Sequence, residues 1–193
     1  LATPRGNPGF SYVLILQSIE VTSMHNLRPW LRWLPAIAMM AILFAFSSQS
    51  YQEQSLVPEI EQNTSDQSIA DWFGGVRFSY GGHEISVESV GWASFIEFFI
   101  RKAAHFGSYA LLAALLVYAL SGNTWANGGR RYFYAILIAF LYACTDELHQ
   151  SITPGRTALV QDVVLDTIGA TCGAAFTILL NRWRGAGKQR RTK

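Results

Sequence analysis

The chain has 193 residues, half of them hydrophobic, with twelve Phe, eight Tyr, six Trp and a net charge of only +2. That is more apolar than a charge-balanced soluble domain usually is, so the distribution of the few charges matters more than their sum. Cys144 and Cys172 form no CxxC pair and both fall in apolar segments, so neither a disulfide framework nor a zinc site is suggested and two small buried hydrophobes are expected.

Residues 1–23 precede Met24 and show no strong periodicity. Their apolar run, Tyr12 to Leu16, is short and has no small-residue cleavage site after it, so it is no signal peptide. They read as a disordered tail or a mis-assigned start, with a folded region over 24–193. From Trp33 to Gln52 no residue is charged, and Trp30 and Trp33 stand at the leading end. About 20 apolar residues cross a bilayer core as a helix, which predicts a first span over about 31–50.

An insertion over 51–94 follows. Within it Val76 to Tyr80, Gly81-Gly82 and His83 to Val87 predict a β-hairpin, because two glycines suit the positive φ angles of a two-residue turn. In that register Tyr80 pairs with His83, Phe78 with Ile85 and Val76 with Val87. A lone hairpin is marginal in water, so its apolar face needs the bundle surface or lipid headgroups to lie on. It is either a lid or a spacer.

Ser94-Phe95-Ile96-Glu97 has the capping-box pattern and predicts a second span over about 95–120. A third over 131–150 and a fourth over 159–181 reach membrane length only if their acidic residues are included. The expected fold is an all-α integral membrane protein, a four-transmembrane-helix bundle with a small extracytoplasmic β-hairpin insertion between helices 1 and 2. A soluble helical bundle is the alternative; its helices should carry polar outer faces, and these do not.

Basic residues set the orientation. Arg28 and Arg32 precede the first span, Arg130 and Arg131 the third, and Arg182, Arg184, Lys188, Arg190, Arg191 and Lys193 follow the fourth. With four spans these clusters share one side, so both termini should be cytoplasmic. The opposite side carries Tyr51 to Glu97, with eight acidic residues and only Arg77.

Ionisable residues are costly in a bilayer and rarely persist there without partners or a task. Here Lys102, His105 and Tyr109 share one helical face by their spacing of three and four. Asp146 and Gln150 share another, flanked by Glu147 and His149. Asp162, Asp166, Gly169 and Gly173 follow a third, and Gly169-x-x-x-Gly173 permits close helix contact. Arg101 is expected to point elsewhere and snorkel to the headgroups. Thr153-Pro154-Gly155-Arg156 reads as a tight turn that presents Arg156 at the rim. In an up-down array all these helix ends lie at one membrane depth.

Lys102-x-x-His105-Phe106-x-x-Tyr109, Asp146-Glu147-x-x-Gln150, Pro154-Gly155-Arg156 and Asp162-Val163-x-x-Asp166-x-x-Gly169, with Ser47-Ser48-Gln49 at the end of the first span, resemble the VanZ-like family of bacterial membrane proteins. The similarity runs from about Trp33 to Leu180 without the insertion. The family usually has Asn where this chain has Asp166. The resemblance implies a multi-pass protein of the bacterial cytoplasmic membrane, acting at the cell envelope and linked to glycopeptide resistance, teicoplanin above all. It implies no particular reaction.

Three readings of the charged face follow. In the first, Lys102, His105 and Arg156 neutralise Asp146, Glu147, Asp162 and Asp166 as an interhelical lock; buried ion pairs are a poor choice for stability alone. In the second, Lys102 and Arg156, with Tyr109 and Gln150, hold an anionic, lipid-linked envelope molecule. His105 is then the proton carrier, with Glu147 or Asp146 its partner, and Asp162 and Asp166 join a divalent cation. No residue stands out as a nucleophile, so binding with or without chemistry stays open. In the third, the carboxylates and His105 form a proton or ion path, against which the apolar inner halves of the spans argue. A bis-His haem through His105 and His149 is disfavoured, because His149 sits beside Gln150 and faces away. The bilayer is the expected partner, no nucleic acid is, and the oligomeric state is not legible.

Overall fold

The computed structural model describes residues 29–63 and 72–190, with side chains through Trp183. Residues 1–23, Arg28, and the basic side chains from Arg184 onward lie outside that description.

A turn of helix at Pro29 leads into α1, Leu34–Ser47, with Pro35 in its first turn, where a missing N–H costs nothing. Helix α2, Val57–Asn63, is short. Strands β1, Arg77–Tyr80, and β2, His83–Ser86, form the antiparallel hairpin. Tyr80 pairs with His83 and Phe78 with Ile85 as expected, across Gly81 and Gly82 at φ +59° and +83°. The ladder ends at Arg77 and Ser86, so the expected Val76–Val87 pair does not form. Ser86 leaves the strand as the N-cap of a single helical turn, α3, Val87–Val90.

Helix α4, Trp92–Leu120, starts three residues earlier than the sequence pattern predicts. Gly91, at φ +82°, turns the chain directly into it, and Ser94 already lies inside the first turn, where it cannot cap. The capping box forms upstream instead. Ser86 Oγ accepts from the Ser89 N–H at 3.1 Å, and Ser89 Oγ accepts from the Ser86 N–H at 3.0 Å. After a 3₁₀ turn at Thr124–Ala126 come α5, Gly129–Gln150, and α6, Val160–Arg190.

Among the described residues three helical segments are long and apolar enough to cross a membrane: Pro29–Ser47, Trp92–Leu120 and Val160–Trp183. Helix α5 has 22 residues but carries Arg130, Arg131, Asp146 and Glu147 within them. Large side chains such as Phe44, Leu111, Phe133, Leu148, Ile168, Phe176 and Leu179 stand exposed on the outside of the helices. Such an apolar belt suits lipid and not water. Cys172 belongs to that exposed surface and Cys144 is half-buried, so neither is the fully buried hydrophobe expected.

Contacts fix the directions of the helices. Arg32, at the start of the first segment, donates to Ser121, at the end of α4. The Tyr142 hydroxyl reaches the Met40 carbonyl, and His149 stacks on Phe44, so α1 and α5 run the same way. Lys102 meets Asp162 and His105 faces Asp166, so α4 and α6 run together in the opposite sense. The closest approach is between α4 and α6. A Cβ on Gly169 would collide with the Phe106 carbonyl, and one on Gly173 with that of Ala110. On α5, Ala135, Ala139 and Ala143 recur every fourth residue and let the backbones close in. The core they share with Leu112, Leu116, Leu120, Ala170 and Ala174 is apolar.

Candidate functional site

This topology gathers the ionisable helix ends at one end of the bundle. Lys102 Nζ lies 2.5 Å from Asp162 Oδ1. The Tyr80 hydroxyl of the hairpin donates to the same carboxylate oxygen. The Lys102 ammonium also stands 4.6 Å from the centre of the Tyr80 ring and 5.5 Å from that of Phe98, within cation–π reach. Burial, then the hydrogen bond and charge of Asp162, hold the Tyr80 phenol above its ordinary pKa, which keeps it a donor. The hairpin is thereby docked: Phe78 packs on Phe98 and Phe99, Tyr80 on Phe98, and Gly81 sits against Leu159.

One turn deeper, His105 Nδ1 is 3.5 Å from Asp166 Oδ2 but off the hydrogen-bond line, so among the described residues the ring nitrogen and both Asp166 oxygens lack a hydrogen-bond partner. Asp146 Oδ2 accepts from Gln150 Nε2 at 3.1 Å. Glu147 Oε2 accepts from the Leu159 N–H at 2.8 Å, just before α6, where a carboxylate suits a helix start. Its other oxygen is buried and unpartnered.

Arg156 does not join the acidic residues. It donates to Gln54 Oε1, and Arg101 Nη2 donates to that oxygen at 3.3 Å. Two guanidiniums therefore converge on one uncharged amide. Arg101 is held by Glu97 at 3.4 Å and lies 4.6 Å from the Tyr51 ring centre. It turns into the site and does not snorkel outward. Among the described residues no carboxylate lies within ion-pair distance of Arg156. Burial, then the neighbouring Arg101, push the proton affinity of the Arg156 guanidinium below its usual range, against the opposing pull of Asp146 and Glu147.

Two cavities open here. One, of about 500 Å³, lies between α1 and α4. Leu43, Phe46, Ile100 and Ala104 form its apolar wall; Arg101, His105, Asp146, Gln150 and Arg156 form its polar end, and Glu53, Gln54 and Glu59 of the insertion also line it. The other, of about 470 Å³, lies under the hairpin, with Tyr80, His83, Phe98, Lys102 and Asp162 on its walls. Arg101, Gln150 and Arg156 line both.

Of the residues singled out by sequence, Lys102, His105, Asp146, Gln150, Arg156 and Asp162 line one cavity or both. Tyr109, Glu147 and Asp166 line neither; Tyr109 is fully buried beneath them. Asp162 faces Lys102 and Asp166 faces His105. Among the described residues no three His, Cys, Asp or Glu side chains gather as a metal ion requires. His149 bonds Ser48 at 3.1 Å and stacks on Phe44. Sequence reading missed Gln54, Glu97 and the inward turn of Arg101. Only the last left a signal, the i, i+4 spacing of Glu97 and Arg101.

A family model described as VanZ/LLP1 matches residues 32–181, well over half of the chain. The chain belongs to that family. No curated protein and no solved structure matches it.

Proposed function

We propose that this VanZ/LLP1-family chain is a four-span protein of the bacterial cytoplasmic membrane, both termini cytoplasmic, whose outward-facing pocket binds an anionic, lipid-linked envelope component. One observation carries the reading. The cavity between α1 and α4 joins an apolar wall to two guanidiniums that share a single neutral acceptor. An amphiphile with a phosphate or carboxylate fits that gradient: its tail lies against Leu43, Phe46 and Ile100, and its charge satisfies Arg101 and Arg156. Arg offers a planar fork to such an anion. Any proton transfer to the bound group falls to His105 and Asp146, the members of the buried cluster that line this cavity. Family membership points to the cell envelope and to glycopeptide resistance, and a protein that holds an envelope lipid would alter what such a drug meets.

The test is binding of a short-chain prenyl phosphate to the purified full chain in nanodiscs, followed by native mass spectrometry. Saturable binding that Arg156→Gln abolishes is the expected result. Binding equal to that of an uncharged prenol would count against the site.

A second reading has an observation of its own. The Lys102–Asp162 contact is a well-formed ion pair between helices and serves as a lock whether or not anything binds. Lys102→Gln and Arg156→Gln separate the two. A lock loses thermal stability in Lys102→Gln whether or not a ligand is present; a binding site loses prenyl-phosphate binding in Arg156→Gln and keeps its stability.

A further inference from the structure

Resting on the reading above, the geometry points to a second subsite, the cavity beneath the hairpin, that takes a hydroxyl-rich polar headgroup joined to the lipid through the anion held by Arg101 and Arg156. Those two residues and Gln150 form a common wall between the cavities. An anion seated at the wall therefore has an aliphatic-walled chamber on one side and, on the other, a chamber in which Ile85, Val90 and Leu159 alternate with aromatic and hydrogen-bonding side chains. A simple anionic amphiphile, with nothing beyond its charge, would leave the second chamber vacant.

The lining of that chamber fits a sugar-like group better than a second alkyl chain. Tyr80 and Phe98 supply aromatic faces. Lys102, His83 and Gln150 supply donors, and Asp162 an acceptor. Its volume of about 470 Å³ falls within the range of small-molecule sites, about 300–1,000 Å³. Tyr80 and Lys102 already meet at Asp162, so the roof and one wall are fixed before any ligand arrives. Preorganised polar groups of this kind give discrimination by hydrogen bonding and not by size alone. The ligand class is thus a lipid-linked phosphate or diphosphate bearing a glycan-type head.

The experiment compares two probes on the full chain in nanodiscs: a short-chain prenyl monophosphate, and the same prenyl chain joined through a diphosphate to one hexosamine. Prenyl diphosphate without sugar serves as the control for the extra charge. The sugar-bearing probe should bind about tenfold tighter than its sugar-free diphosphate, the equivalent of one or two good hydrogen bonds. His83→Ala, at an exposed position that does not hold the fold, should remove that advantage and leave binding of the sugar-free probes unchanged. Tyr80→Phe should reduce it as well. Equal affinity of the two diphosphates overturns the subsite while the parent reading survives. Failure of every prenyl phosphate to bind overturns both.

Discussion

The Glu97 carboxylate accepts the backbone N–H of Leu56 at 3.1 Å from a position with no solvent exposure. This ties the segment after α1 to the first turns of α4. The same carboxylate receives the Tyr51 hydroxyl at 3.4 Å and holds Arg101. Glu97→Ala therefore removes three contacts at once and leaves Arg101 facing Arg156 without a counter-charge. A loss of about 2–3 kcal/mol is expected for hydrogen bonds to a buried charged group. Chemical unfolding in detergent measures it, and Glu97→Gln should recover part of the loss, because an amide oxygen still accepts from Leu56. An unchanged midpoint for the alanine variant would show that the insertion is not anchored here.

Three of the four expected spans, the hairpin turn and the meeting of three helix ends were legible because each rests on a local rule: run length, paired glycines and helical spacing. Lys102, His105, Asp162 and Asp166 come together for that reason. What stayed hidden is contributed by the insertion. Gln54 is an ordinary polar residue in a loop, and nothing in its neighbours says that two arginines 47 and 102 positions away will bond it. Arg101 was misread for a related reason. Snorkelling is the default for a basic residue near a helix end, and only the folded path of residues 51–56 offers it something better. Ser94 misled because the capping-box pattern is satisfied by spacing alone, whereas the true helix start was set by the positive φ of Gly91.

The α4–α6 contact gives a sharp pair of substitutions. Gly173→Ala places a Cβ into the Ala110 carbonyl, so the two helices must separate. A cost of about 1–3 kcal/mol follows from overpacking, seen as a lower melting temperature and a lower folded yield. Gly107→Ala, on α4, meets no atom within 4 Å and should stabilise the helix by about 0.5–1 kcal/mol. Equal effects of the two would mean that the helices do not approach as closely as the glycines allow.

The hairpin should stay docked in alkaline solution longer than a free tyrosine would permit. Tyr80 is raised above its ordinary pKa of about 10 by burial and by Asp162. For an acid whose folded pKa is raised, the stabilisation is complete below the unfolded value and is lost as pH rises through the folded one. Docking should therefore be constant to about pH 10 and weaken above it. The difference in phenolate absorbance between the parent chain and Tyr80→Phe reads this residue alone. A difference spectrum with a midpoint at or below 10 would mean that the Tyr80–Asp162 bond does not form in solution.

Helix α5 decides whether the chain crosses the bilayer three times or four. Its uncharged stretch, Tyr132 to Thr145, rises only about 21 Å at 1.5 Å per residue, short of the roughly 30 Å hydrocarbon core. All 22 residues of the helix span about 33 Å, which suffices only if Arg130 and Arg131 reach one interface while Asp146 and Glu147 are shielded near the other. The fold supplies that shielding: both carboxylates are buried, one beside Gln150 and the other at the Leu159 amide. Single cysteines at Trp125 and at Thr157, in a background with Cys144 and Cys172 replaced by Ala, flank the helix in its two loops. An impermeant thiol reagent added to intact cells should label Thr157→Cys and spare Trp125→Cys, and inverted membrane vesicles should reverse the pattern. Labelling of both from one side would mean that α5 does not cross, and the clustered charges would then have to be explained in water.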